Sequence, residues 1–472
     1  MHKKWWFVGV FSHLLFNIQG QEAADFPAVK IHETPAMFTG TCEPSISINP
    51  TDPDNIVAGS VLNNVYYSMD GGRTWDLSKI KSTYGVWGDP CLVHGPEGRA
   101  YYLHLSDPTG KNWSSDSILD RIVIQWSDDG GQTWDNGSYM GLNHPKDQDK
   151  EWAAVNPQTG EVVASWTQFD KYNSPLPEDE TNILFSRSTD KGKTWSEPVE
   201  INELPGNCLD DDGTVEGAVP SFGPNGEIYV AWSLNEKIYL NAILEEGGTW
   251  SETNSIVAKQ PGGWTIEIPG LNRSNGMPVT GVDISEGPYK GRLYVCWGDT
   301  RNGENNADVF VAYSDDKGKT FSTPKRIHND DTETHQFLPW MSVDPQTGVV
   351  YTVFYDRHRF DNDSTDVTLA YSVDGGLTWE NKKLNEESFA VNPFIFFGDY
   401  NNISSYNGRV RPIWTEFHNG KLSVWTSLID LAIPEEDYSG KPDEWKDDVP
   451  VEMPAKKDKE DEDKEVEEKE PK

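Results

Sequence analysis

Basic residues are scarce in this chain: 40 Lys and Arg stand against 77 Asp and Glu, a formal net charge of −37. Binding a nucleic-acid backbone requires a surface that neutralises phosphates, so nucleic-acid partners are excluded. Cysteine is rare as well. Cys42, Cys91, Cys208 and Cys296 match no zinc-ligand spacing, and both disulfide pairing and buried free thiols stay open for them. Long helical periodicity is missing. No apolar run reaches the ~20 residues of a membrane span. P-loop, dinucleotide-binding, HExxH and nucleophile-elbow patterns are also absent, which removes the chemistries those motifs carry.

The first twenty residues read as a signal peptide. His2, Lys3 and Lys4 precede an apolar stretch from Trp5 to Ile18, and Gly20 precedes Gln21 as a cleavage point. A secreted or periplasmic protein is therefore expected. At the other end, residues 435–472 mix both signs of charge and offer almost nothing to bury, so a disordered tail is expected there. Between them, residues 27–430 carry short strand patterns punctuated by Gly and Pro, the signature of an all-β domain.

One element recurs along that region. Ser68 to Trp75 reads SMDGGRTW, Ser127 to Trp134 SDDGGQTW and Ser188 to Trp195 STDKGKTW. Ser314 to Phe321 reads SDDKGKTF and Ser372 to Trp379 SVDGGLTW, with a worn copy, EEGGTW, ending at Trp250. The spacing is about sixty residues, apart from the interval holding an insertion around Pro261 to Gly287. In each copy the Asp accepts bonds from turn amides and the Gly supplies positive φ, while the closing Trp begins the next strand. Upstream, three more strands precede each copy, as in PSISINP, IVAGS and NVYYSMD. A seventh unit, running from GDYNNIS to KLSVWTSLI, lacks the motif. AVKIHE near the N-terminus can supply its fourth strand. A β-propeller of four-stranded antiparallel blades is expected, with seven blades, six as the alternative, and closure by that N-terminal strand.

The S-x-D-x-G-x-T-W copies resemble the Asp-box repeats (bacterial neuraminidase repeats) of the sialidase-like propeller superfamily over nearly all of Glu43 to Asp430. The resemblance implies a fold in which the Asp boxes are structural and face away from the active side. It also implies three arginines clamping a substrate carboxylate, a Tyr and Glu pair as nucleophile and base, and an Asp as acid. Glu216, within TVEGAV, matches the expected glutamate. No arginine occurs between the leader and Arg73, however, and Glu43 of CEPSI stands where the first clamp arginine belongs. Only Arg301, Arg357, Arg409 and Arg411 remain for a clamp. A sialic-acid carboxylate placed among Glu43, Asp89, Glu151 and Glu216 would be repelled rather than held.

The repeat places further residues on the face opposite the Asp boxes, where loops converge over the channel. The catalytic candidates are Glu216, Asp89, Glu151, Asp399 and Tyr400. Paired carboxylates are what glycoside hydrolysis needs, one raised in pKa as acid and one ionised as base or nucleophile. The substrate-binding candidates are Glu43, Trp87, His335, Asp299, Arg301, Asp356, Arg357, Glu416 and His418. Asp299/Arg301 and Asp356/Arg357 occupy equivalent places, which favours salt bridges between blades, with substrate binding as the alternative. The converging acids could instead hold Ca²⁺, a hard cation that takes oxygen ligands; no other cofactor is required. The reading is a secreted, glycan-directed propeller, a glycoside hydrolase of sialidase-like fold without the full arginine triad. The alternatives are a non-catalytic glycan-binding propeller, a true exo-sialidase and a polysaccharide lyase.

Overall fold

The computed structural model describes residues 23–36 and 40–431. The leader assigned to residues 1–20 and the charged tail of 435–472 lie outside the described residues. Within them the protein is all-β, with a single 3-10 turn at Asn112–Ser114. No helix among these residues is long and apolar enough to cross a membrane.

Seven antiparallel sheets follow one another along the chain, and each is built around four strands. The propeller thus has seven blades, not six. The innermost strands are Ser45–Ile48, Cys91–His94, Asp147–Val155, Glu216–Phe222, Val279–Val282, Gln336–Val343 and Asn402–Tyr406. Six blades run outward in sequence order. The seventh takes its outermost strand, Ala28–Pro35, from the N-terminal side of the domain, paired antiparallel to Lys421–Ser427. The second strands repeat one solution: Trp166, Trp232, Trp297 and Trp414 are all fully buried between blades. Burying such a ring stabilises by about 2–3 kcal/mol each, so the SWT, AWS, CWG and IWT triplets are core positions.

The recurring turns are held as their sequence implies. In the first, Ser68 Oγ donates to Asp70 Oδ1 (2.8 Å) and accepts the Gly72 amide (2.9 Å). The Thr74 amide and hydroxyl bond the two Asp70 oxygens at 2.9 and 2.7 Å. The same set recurs around Asp190, where the Thr194 bonds bring the carboxyl down to about 2 despite the cost of burial. These turns and those between first and second strands share one end of the propeller: the Gly71 amide donates to Asp54 O (2.9 Å), and Asn55 Nδ2 reaches Gly130 O (3.0 Å) in the next blade. A channel of about 750 Å³, walled by the innermost strands, opens at that end beside Pro50, Pro96, Pro157 and Pro345. Aromatic rings stand along the axis: Trp152 meets Trp340 at 4.2 Å, and Tyr400 packs on Trp152 at 4.9 Å.

The four cysteines are free and buried.

Candidate functional site

At the opposite end, left-handed backbone occurs at or just before the innermost strands of blades 1, 2, 3 and 7. Glu43, Asp89 and Lys150 have φ of 51°, 52° and 53°, and Gly398 has φ of 101°. Non-glycine residues pay about 1–3 kcal/mol for such a backbone, a cost that clusters at functional sites. In blade 3 this backbone forms a β-bulge: the register with Val162–Phe169 shifts between Asp149 and Trp152. A bulge re-aims the side chains beside it.

The result is a pocket of about 200 Å³ lined by Glu43 and Asp89 of blades 1 and 2, Asp149 and Lys150 of blade 3, Asp399 of blade 7, and Arg273. Lys150 is its hub. Its Nζ lies 3.0 Å from Asp89 Oδ2 and 2.9 Å from Asp399 Oδ2, all three side chains being largely buried. Arg273 grips Asp399 from the other side, Nε to Oδ1 at 2.6 Å and Nη2 to Oδ2, and stands 3.5 Å from Asp210. It belongs to the insertion between blades 4 and 5, which is pinned over the mouth. There Asn275 Nδ2 donates to Asp399 O (2.7 Å), and the Thr265 amide donates to Asp212 (2.8 Å). Gly398 allows the last approach: a Cβ there would stand 2.9 Å from Glu43 Cγ, and the Asp399 amide donates to Glu43 Oε1 at 3.2 Å. Trp87, Trp113 and Tyr172 form an aromatic wall, with ring centroids 6.4 and 5.6 Å apart, and Tyr172 donates to Asp210 (2.7 Å).

These surroundings separate the carboxyls. Burial, reinforced by Asp89 and Asp399, pushes Glu43 well above its usual range. Burial also raises Asp149, to about 7, against the pull of Lys150. Asp399 is buried too, yet Lys150 and Arg273 together hold it well below the normal carboxylate range. Neutral and ionised carboxyls therefore share one pocket near pH 7.

Of the predicted residues, Glu43, Trp87, Asp89 and Asp399 meet in this pocket. Glu151 and Glu216 do not line it. Glu151 is 1 % exposed with both carboxylate oxygens unpartnered, and Glu216 is fully buried with Oε2 on the Thr167 hydroxyl at 3.2 Å. Burial pushes both upward in pKa, helped by Asp89 and Asp149 respectively. Tyr400 is likewise buried in the axial aromatic group, its hydroxyl unpartnered.

The remaining candidates stand outside the pocket as well. Asp299 accepts from Trp297 Nε1 (2.7 Å) and is forked by Arg301 of its own strand end, so that pair joins no two blades; Arg301 reaches the neighbouring blade only at Lys259 O (3.0 Å). Asp356 and Arg357 are not partners. Adjacent strand residues face opposite ways, and Asp356 meets His358 (2.9 Å) while Arg357 donates to Pro269 O (2.8 Å). Glu416 accepts from Trp414 (2.8 Å) and pairs with His418 (3.0 Å). His335 Nδ1 accepts only the Ala307 amide at 3.4 Å. Arg409 and Arg411 are bound to Asp54 and Gly71 O at the Asp-turn end. No clamp of three arginines lines the pocket. Ca²⁺, the alternative occupant of the ring acids, would have to share Asp89 and Asp399 with Lys150 and Arg273.

The chain is 24 % identical over 235 residues to a sialidase of Clostridium perfringens, an alignment covering 44 % of this chain and 55 % of that protein. It is 25 % identical over 203 residues to a sialidase of Paraclostridium sordellii, covering 39 % and 48 %. It is similar to sialidases. The alignments span about half the length of these curated relatives. Among solved structures, the Hadza microbial sialidase Hz136 aligns at 17 % identity with a TM-score of 0.46, over 80 % of this chain and 73 % of that one. No protein-family model matches.

Sequence reasoning missed Asp149, Lys150, Asp210, Trp113, Tyr172 and Arg273. The charged DQDKEW run marked the place, but a straight strand would have turned Glu151 towards the mouth. The bulge presents Asp149 and Lys150 instead.

Proposed function

We propose that this chain is an exported, carbohydrate-active propeller whose mouth pocket hydrolyses glycosidic bonds. The observation that carries the reading is the separation of protonation states in one pocket: Asp149 near 7 and Glu43 raised, beside a strongly depressed Asp399. Asp149 is the general acid, holding its proton at neutral pH for the leaving oxygen. Asp89, ion-paired with Lys150, supplies the second carboxylate that hydrolysis requires, as nucleophile or base. Glu43 keeps its proton and donates to a sugar hydroxyl. Trp87, Trp113 and Tyr172 offer ring faces for stacking. The similarity to sialidases supports a glycan as partner, and the basic-then-apolar first twenty residues support export.

The substrate is not sialic acid in this reading. Lys150 and Arg273 are both engaged by pocket carboxylates, so neither forms a free fork for a substrate carboxylate.

The test is reducing-end release from a panel of neutral and acidic glycans by wild type, Asp149→Asn and Glu43→Gln. Hydrolysis lost in Asp149→Asn with glycan binding retained is the expected result. Undiminished turnover in Asp149→Asn would remove the acid assigned here. Saturable binding without release on every glycan would leave a binding propeller, and unsaturated, ultraviolet-absorbing products would indicate a lyase.

A further inference from the structure

Away from the pocket, at the rim of blade 6, a groove of about 370 Å³ collects a second set of polar side chains. Asp356 ends the second strand, His358 follows in the next loop, and Asp330 comes from the crossover between blades 5 and 6. One ligand atom from each lies within 4.8 Å of the others. Two segments distant in sequence, the end of the second strand and the blade 5–6 crossover, thus bring an imidazole and two carboxylates together.

The surroundings orient each of them. The Asp356 oxygens receive Gln336 Nε2 (3.0 Å) and the Thr368 hydroxyl (2.9 Å), and Oδ2 faces His358 Nδ1 at 2.9 Å. Asp330 Oδ2 meets Nδ1 of His328 at 2.6 Å, and the other nitrogen of that buried ring lies 2.8 Å from Asp308. Outer carboxylate–imidazole pairs of this kind fix ligands at metal sites. Gln336, fully buried, donates to Asp356 through its amide nitrogen, while its amide oxygen has no partner. Arg359 and Lys383 line the same groove and both lie against Asp366.

We propose that Asp330, Asp356 and His358 form a binding site for a borderline divalent ion of the Zn²⁺ type, which ties the blade 5–6 crossover to blade 6. An imidazole among carboxylates suits such an ion better than Ca²⁺, which takes oxygen ligands. Ligands at about 2.0–2.1 Å in a tetrahedron stand about 3.3 Å apart, so the 2.9 Å contact between His358 and Asp356 has to open slightly and ligand atoms up to 4.8 Å apart have to close around an ion. A water would complete the shell.

The experiment uses the purified full chain, stripped with a chelator and titrated with Zn²⁺ or Co²⁺. Calorimetry should show one site per chain, and Co²⁺ should give the intense visible bands of a low-symmetry, four-coordinate ion. His358→Gln should weaken binding at least tenfold, and Asp330→Asn likewise. Glu43→Gln, in the mouth pocket, should bind the ion as wild type does. Because His358 is partly exposed, its variant is expected to fold, and a circular dichroism spectrum matching wild type verifies this. No saturable binding, binding untouched in both rim variants, or saturation by Ca²⁺ but not Zn²⁺ would each overturn the proposal.

Discussion

Replacing Lys150 by Met removes the ammonium shared by Asp89 and Asp399 while keeping the length of the side chain. The side chains of Lys150, Asp89 and Asp399 are 8 %, 13 % and 2 % exposed, so water compensates little for the loss. Breaking a buried pair from one side costs about 3–5 kcal/mol. Arg273 stays on Asp399, which places the loss near 3 kcal/mol. For roughly 400 ordered residues, with unfolding entropy of about 2.1 cal/mol/K per residue, that lowers Tm by about 4 °C. The pH dependence carries a sign. Asp399 is depressed in the folded state, so its contribution is present above the unfolded pKa of about 3.9 and is lost as pH falls through the folded value. Without Lys150 the folded value rises, so the penalty is full at pH 8 and shrinks towards pH 4. Thermal and urea unfolding of both proteins at the two pH values measure this. A loss under about 1 kcal/mol at pH 8, or an equal loss at both, would refute the hub role of Lys150.

Asp149→Asn should make the protein more stable than wild type at pH 8 and nearly equal to it at pH 4. A carboxyl raised to about 7 binds its proton more tightly folded than unfolded, so wild type loses stability as pH climbs from about 4 to about 7, and urea midpoints across that range report it. Asp190→Ala removes the acceptor of the Thr194 amide and hydroxyl and should cost about 1–3 kcal/mol in thermal unfolding, with glycan turnover unchanged. Trp113→Ala, at a ring 58 % exposed, should weaken oligosaccharide binding about three- to tenfold by calorimetry and leave Tm unaltered.

The fold was legible because it repeats. Each Ser–Asp–Gly–Thr–Trp turn satisfies its own polar groups within eight residues, so its geometry follows from local chemistry, and the buried tryptophans of the second strands follow from period-2 alternation. The side of the propeller bearing the pocket followed in the same way, as did Glu43, Asp89 and Asp399 at the approaches to innermost strands. What escaped was non-local. The bulge at Asp149 to Trp152 shifts one register by a residue, and that suffices to exchange Glu151 for Lys150 at the mouth. Arg273 sits in an insertion with no counterpart in other blades, so no repeat could position it. Asp299/Arg301 and Asp356/Arg357 looked equivalent, yet spacing of two in one and one in the other sends the second pair to opposite faces.

The central claim is that Asp149 holds the catalytic proton, and the pH dependence of kcat/KM on a glycan hydrolysed by wild type tests it most directly. Wild type should lose activity on the alkaline side with an apparent pKa near 7, and Asp149→Asn should fall by about 10²–10⁴-fold and lose that limb. An alkaline limb unchanged in Asp149→Asn would contradict the account.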